Sequence, residues 1–215
     1  MSYFRSVADT RQRILDVARR LFNQRGLNQV GVRDVARAVG ISAGNLAYHF
    51  PTKDDLVEAL LLELHELNKR TAFAALPDDF SLTTLYRTAV AALRNMLPYR
   101  FVLLSYVDAV RASPRLQAVE AGLAKKRRAR HDRMLDLLIA NRQLSARTVE
   151  RSDVLYEQGM MISSGWLSAA ALRGWSDARA VLHFAKLGCA LLEPHCTPSG
   201  ARQMRRILDG ALDKE

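Results

Sequence analysis

Cysteine is scarce. The chain has two in 215 residues, Cys189 and Cys196, both late and without a CxxC spacing. That argues against a disulfide framework and fits a reducing compartment. Long apolar runs are missing too. The least polar stretch, Met160 to Leu172, is broken by Ser163, Ser164 and Gly165, well short of the roughly 18–20 apolar residues of a membrane span. The first residues contain no apolar core of the secretory type. The expectation is a cytoplasmic protein with no membrane partner. Alternation of apolar and polar residues, the mark of a half-buried strand, is absent. So are a nucleophile elbow, a P-loop and an HExxH pair, and His131 has no ligand partner four residues away. No catalytic residue, metal or cofactor is therefore expected. A helical enzyme and a membrane-surface scaffold remain as competing classes, separable by turnover and by lipid binding.

Acidic residues are also in deficit, 22 against 32 Lys and Arg, for a net charge of +10. Residues 1–53 hold nine basic side chains (Arg5, Arg11, Arg13, Arg19, Arg20, Arg25, Arg33, Arg37, Lys53) and three acids (Asp9, Asp16, Asp34). An excess concentrated in one quarter of the chain favours a polyanionic partner, although basic residues also solvate helix faces.

Helical periodicity fills the space left by the missing strands. Asp9 and Gln12 read as a capping box, followed by Ile14, Ala18, Leu21 and Phe22, with Gly26 as the stop. Short helices are expected over 32–39 and 43–50. Thr52 caps a fourth that carries Leu56, Leu60, Leu64 and Leu67 into the mid-70s. After a linker at Leu76-Pro77-Asp78-Asp79, helices are expected near 82–97, 99–112, 115–142, 149–173, 177–193 and 199–213. The predicted fold is all-α, a small three-helix head joined to a larger helical body. The domains expected are 1–55 and 56–215.

Residues 32–50 form a helix-turn-helix pattern. Ala36 is small enough for two helices to cross closely. Gly40 suits a turn that needs positive φ. Val35, Val39, Ile41 and Leu46 are spaced to pack the two helices together. Ser42 caps the second, and Ser42, Ala43, Gly44 and Asn45 occupy the part that a recognition helix presents to base edges. Small residues let the backbone approach the groove, and Asn45 offers a donor and an acceptor.

The stretch GISAGNLAYHFPTKDDL (residues 40–56), with RQRILDVARRLFNQRGLNQVGVRDVARAVG before it (11–40), resembles the TetR family of bacterial transcription regulators. The match covers about residues 9–60. It implies a dimeric, ligand-responsive repressor that binds a palindromic double-stranded DNA operator sequence-specifically. It also implies roles. Arg33 would touch phosphate or a base, and Ser42, Ala43, Gly44 and Asn45 would face the groove. Tyr48 and His49 would end the recognition helix at the DNA, and Lys53 would meet a phosphate at a helix N-terminus. For Tyr48, core packing is an equally open alternative. For His49 a surface position against Phe50 is open, and for Lys53 simple solvation. The chain departs from the family at Ala47, where an aromatic is usual, and at Gly31 and Val32, where hydroxyl residues are usual.

In the body, Phe101, Tyr106, Asp108, Tyr156, Met160 and Trp166 stand at helical spacing. The resemblance implies a small-effector pocket there, with plain core packing as the alternative. It also implies a homodimer through the late helices, whose small residues permit close approach. The basic run KKRRARHDR (125–133) reads mainly as a solvated helix face.

Overall fold

The computed structural model describes the backbone at residues 2–71, 76–104 and 106–213, and side chains at 9–70, 76–104 and 106–213. All regular elements among them are helical: α1 (Ser2–Arg25), α2 (Val32–Val39), α3 (Ala43–His49), α4 (Lys53–Thr71), α5 (Leu82–Met96), α6 (Arg100–Leu104), α7 (Tyr106–Ala112), α8 (Pro114–Ala140), α9 (Ser152–Leu172), α10 (Asp177–Ala190) and α11 (Pro198–Leu208). The expected run of α4 into the mid-70s lies outside the described residues beyond Thr71. The chain divides into two compact units, residues 1–66 with 98–122, and residues 67–97 with 123–215.

In the first unit, one stripe of α1 (Ile14, Leu15, Ala18, Leu21, Phe22) meets Val35, Ala36 and Val39 of α2, Leu46 of α3, Phe50, and Leu56, Val57 and Leu60 of α4, all buried. Each of these side chains larger than alanine contributes about 1.5–3 kcal/mol through burial. Phe101 packs its ring on Phe22 at 5.4 Å. The Asp9–Gln12 capping box does not form. Helix α1 starts at Ser2, so Asp9 sits inside it, and Gln12 donates instead to Asp16 and to Glu63. A local cap signal loses where the chain before it is itself helical.

Two polar clamps hold α4. Arg19 donates to Glu63 at 2.9 Å and to the Tyr99 hydroxyl at 3.0 Å. Tyr99 in turn donates to Glu63. Burial and the adjacent carboxylate push the Tyr99 phenol up to about 12. At the other end, Arg115 of α8 donates to Asp55 at 2.5 Å and pairs with Glu58, while Ser113 donates to Asp54 at 2.6 Å. The region expected as one helix over 99–112 holds α6 and α7 after a 3₁₀ turn at Leu97–Tyr99.

In the second unit, α10 packs on α5 and α9, and α11 packs on α5 and α10. Trp166 of α9 is fully buried, its ring 6.3 Å from Phe184 of α10. Cys189 lies in this core as a free thiol, and burial pushes it up to about 12. Asp213 closes the end of the chain by accepting from Lys186 and from the Tyr86 hydroxyl, each at 2.6 Å. Helix α11 is shorter than expected, ending at Leu208.

Candidate nucleic-acid interface

Local chemistry fixes each boundary of the α2–α3 pair. The Gly31 N–H donates to the Asp34 carboxylate at 3.0 Å, which satisfies one of the orphan donors at the start of α2. Gly40 ends α2 at φ 80°, ψ 34°, and its N–H reaches back to Ala36 O. An L residue with a side chain is strained there. The Ser42 hydroxyl caps α3 by accepting from Asn45 N at 3.1 Å. Thr52 and Asp55 form the reciprocal cap of α4: the Thr52 N–H donates to Asp55 at 2.7 Å, and the Asp55 N–H donates to the Thr52 hydroxyl at 3.2 Å. Burial raises the Asp55 carboxyl, but the Thr52 bonds and the Arg115 guanidinium outweigh burial and hold it below its ordinary range.

The outcome is a sided helix. Leu46 is buried, whereas Ser42, Ala43, Gly44, Asn45, Ala47 and Tyr48 are exposed. Tyr48 is 76% exposed. That removes the core-packing alternative, since an aromatic ring in the core would be hidden. His49 is half-buried and packs edge-on against Tyr48 at 5.2 Å, so its neighbour is Tyr48. Arg33 is exposed in the first turn of α2, and so is Arg37 one turn later, 81% exposed at its side chain. Arg37 is not among the residues to which the family resemblance gives a DNA contact; its i+4 spacing from Arg33 is the signal that places it on the same face.

Part of the basic excess serves the head itself. The Arg13 guanidinium donates to Val39 O at 3.4 Å, and the Arg11 guanidinium lies 4.9 Å from the Phe50 ring centroid. Lys53 is half-buried and donates to Leu27 O at 2.8 Å. An ammonium carries three donors, and one is spent tying the start of α4 to the turn after α1.

Gly44 has no conformational reason to be glycine. Its φ is not positive, and an added Cβ would meet nothing nearer than the Ser42 hydroxyl oxygen at 4.0 Å. What the glycine provides is a bare stretch of helix surface. Gly44→Ala is therefore expected to stabilise the protein by about 0.5–1 kcal/mol. If DNA lies against this face, affinity for an operator falls in the same variant. Thermal melts and DNA titrations on one sample check this, and a parallel rise in both would remove Gly44 from the contact surface.

The six residues expected of an effector pocket divide between the two units. Phe101, Tyr106 and Asp108 belong to the first unit, with Asp108 exposed. Tyr156, Met160 and Trp166 belong to the second. Of the last three, Tyr156 makes polar and ring contacts, to Ala124 O at 3.5 Å and to the His131 ring at 5.4 Å. In the basic run, Lys125, Lys126, Ala129 and Arg133 are exposed, but Arg127, Arg128, Arg130 and His131 are half-buried. Arg128 pairs with Asp132 and Asp153 at 2.9 and 2.6 Å.

A basic, all-helical head with a capped helix-turn-helix defines a class, the helix-turn-helix DNA-binding proteins. Comparison with known families narrows it. Residues 14–60 match the model of bacterial regulatory proteins of the tetR family, and residues 65–204 match that of a bacterial transcriptional repressor. The chain belongs to the tetR family. Among curated relatives, it is 37% identical over 71 residues to the HTH-type transcriptional regulator TtgR of Pseudomonas putida, covering 33% of this chain and 34% of that protein. It is 43% identical over 60 residues to AcrR of Shigella flexneri, covering 28% and 27%. The matched stretch thus spans about a third or less of these relatives' own length. Likeness of fold extends further. A TetR-family regulator from Marinobacter aquaeolei has a TM-score of 0.80 at 20% identity, over 95% of this chain and 97% of that one. A regulator from Saccharomonospora viridis solved with choline has a TM-score of 0.66 at 22% identity, over 82% and 94%.

Proposed function

We propose that this chain is a sequence-specific transcription regulator of the cytoplasm. It binds a palindromic operator as a homodimer and represses transcription until a small effector engages its body. The observation that carries this reading is the sidedness of α3: Ser42, Ala43, Gly44, Asn45 and Tyr48 stand exposed while Leu46 anchors the helix. Within this reading residues 1–55 read DNA and 56–215 bind effector and partner. Asn45 reads a base. Tyr48, His49, Arg33 and the two remaining Lys53 donors engage backbone or base edges. The operator in this reading lies near the chain's own promoter, so a reporter driven by that promoter tests repression. Output is expected to fall when the chain is supplied. A rise would make it an activator, and no change would overturn autoregulation.

Dimerisation has its own support. Met161 and Leu172 of α9 are 73% and 91% exposed, and Leu187 of α10 is 41% exposed. Large exposed apolar side chains on two packed helices support the reading that a partner covers this surface. A second copy supplies the second recognition helix that a palindrome requires. The double variant Met161→Glu with Leu187→Glu is expected to sediment as a monomer. Its operator affinity should fall by about 100-fold or more, because the second half-site is no longer tethered. A variant that stays dimeric would place the interface elsewhere.

A further inference from the structure

The second unit contains a part-open apolar chamber of about 110 Å³ between α5, α8, α9 and α10. Its walls include Met134, Leu138, Leu155, Gly159 and Gly188, and its one polar side chain is His131. None of the six residues that the sequence suggested for an effector lines it.

Two observations show that this space is built. The first is the pair of glycines. Gly159 lies within α9 and Gly188 within the last turn of α10. Glycine in a helix is destabilising relative to alanine, so its presence needs a reason. Positive φ is not the reason at either position, nor is close approach within the chain, since an added Cβ would meet nothing within 4 Å. What the two glycines do is leave room in the wall of the chamber. The second observation is His131. Its Nε2 is buried with no hydrogen-bond partner, a condition that costs free energy unless something satisfies it. The ring is held on its other sides, by Tyr156 edge-on at 5.4 Å and by a backbone hydrogen bond with Ser152. Burial pushes the imidazole below its ordinary range, and the nearby Arg128 cation acts the same way against the opposing pull of Asp132 and the Ser152 bond. A neutral imidazole that carries its proton on Nδ1 presents Nε2 as an acceptor.

We propose that the chamber binds a small, mostly apolar molecule bearing one hydroxyl or N–H, of about the size of phenol, which donates to His131 Nε2 while its ring fills the space left by Gly159 and Gly188. The size is of the order of the roughly 150 Å³ apolar cavity that accepts benzene in an engineered core. This site gives chemical content to the effector in the reading above and rests on that reading for its regulatory meaning.

Calorimetric titration of the DNA-free protein at pH 8 with phenol, and with benzene as the probe lacking a donor, tests the binding. One phenol per chain is expected, held about three- to tenfold more tightly than benzene, the worth of one net hydrogen bond. His131→Phe, which removes the orphan acceptor and keeps an apolar ring, is expected to fold normally and erase the preference for phenol. The double variant Gly159→Ala with Gly188→Ala is expected to melt about 2–5 °C higher and to bind neither probe. The proposal is overturned by absence of saturable phenol binding, by an undiminished preference in His131→Phe, or by unchanged binding in the double alanine variant. Because no DNA is present, such a failure leaves operator recognition standing. A failure of operator recognition, conversely, leaves these titrations valid.

Discussion

Tyr48→Ala is expected to weaken binding to operator DNA by about 10- to 100-fold while the melting temperature stays within about 2 °C of the parent. The affinity figure is that of one good base or anchoring contact, about 1–3 kcal/mol. The stability figure follows from exposure. The ring is 76% exposed and, among the described residues, its one ring neighbour is His49, and substitutions at such positions usually stay within about 0.5 kcal/mol. An aromatic left in water on the face of a capped helix contributes little to the isolated protein. A DNA backbone or base edge against it supplies the burial that the fold does not. The two readouts must separate. If melting temperature and affinity fall together, Tyr48 supports the head and does not contact DNA. If neither changes, the DNA-facing surface ends before Tyr48, in the first turn of α3.

Gly200→Ala is expected to be the most damaging single methyl in the body, costing about 3 kcal/mol and lowering the melting temperature by about 6–12 °C. A Cβ at Gly200 would sit 2.0 Å from the Gln143 carbonyl oxygen and 2.9 Å from its carbon. Both are backbone atoms, so no rotamer change relieves the clash. The carbonyl cannot retreat cheaply, because it accepts from Thr197 N at 3.0 Å, while the Thr197 hydroxyl donates to Arg142 O at 2.6 Å. The buried Gln143 side chain is committed as well, its Oε1 accepting from Leu82 N at 2.9 Å. Displacing this strand of chain therefore disturbs the starts of both α5 and α11. Denaturation monitored by circular dichroism decides the matter. A melt within a degree of the parent would mean that α11 slides freely against residue 143.

These two residues mark what the sequence could and could not disclose. The head was legible because its boundaries are set by neighbours in sequence: Gly40 at positive φ, the Ser42 cap, Thr52 with Asp55, and Pro51 after α3. Each is a short-range device with its own residue signature. Tyr48 was legible as part of a motif, but whether it faced the core or the solvent depended on how α3 lies against α1 and α4. The start of α1 was misread because the Asp9–Gln12 cap is a local signal, and the residues before it continue the helix to Ser2. The body was harder still. Gly200 reads in sequence as one more residue of a late helix, and its necessity arises from a carbonyl 57 positions away. The chamber was invisible for the same reason. Gly159 and Gly188 matter through the space they leave beside His131, and no periodicity encodes an empty volume. Aromatic and sulfur-bearing residues drew attention instead, and Phe101 and Trp166 turned out to be deeply buried, each with its ring against another aromatic.

Lys53 carries the remaining tension between fold and function. Its bond to Leu27 O at 2.8 Å gives it a structural task that a solvated lysine would not have. A phosphate contact would use the donors that remain. The two roles differ in salt dependence, since each phosphate neutralised adds about 0.9 to the slope of log affinity against log salt on duplex DNA.

The most direct test of sequence-specific recognition by α3 is selection of bound sites from a random pool of duplex DNA by the full chain, at two salt concentrations, with Asn45→Ala in parallel. The expected result is an inverted repeat that survives the higher salt and that loses information at one position of each half-site in Asn45→Ala. Binding that is sequence-blind, that vanishes as salt rises and that is indifferent to Asn45 would contradict it.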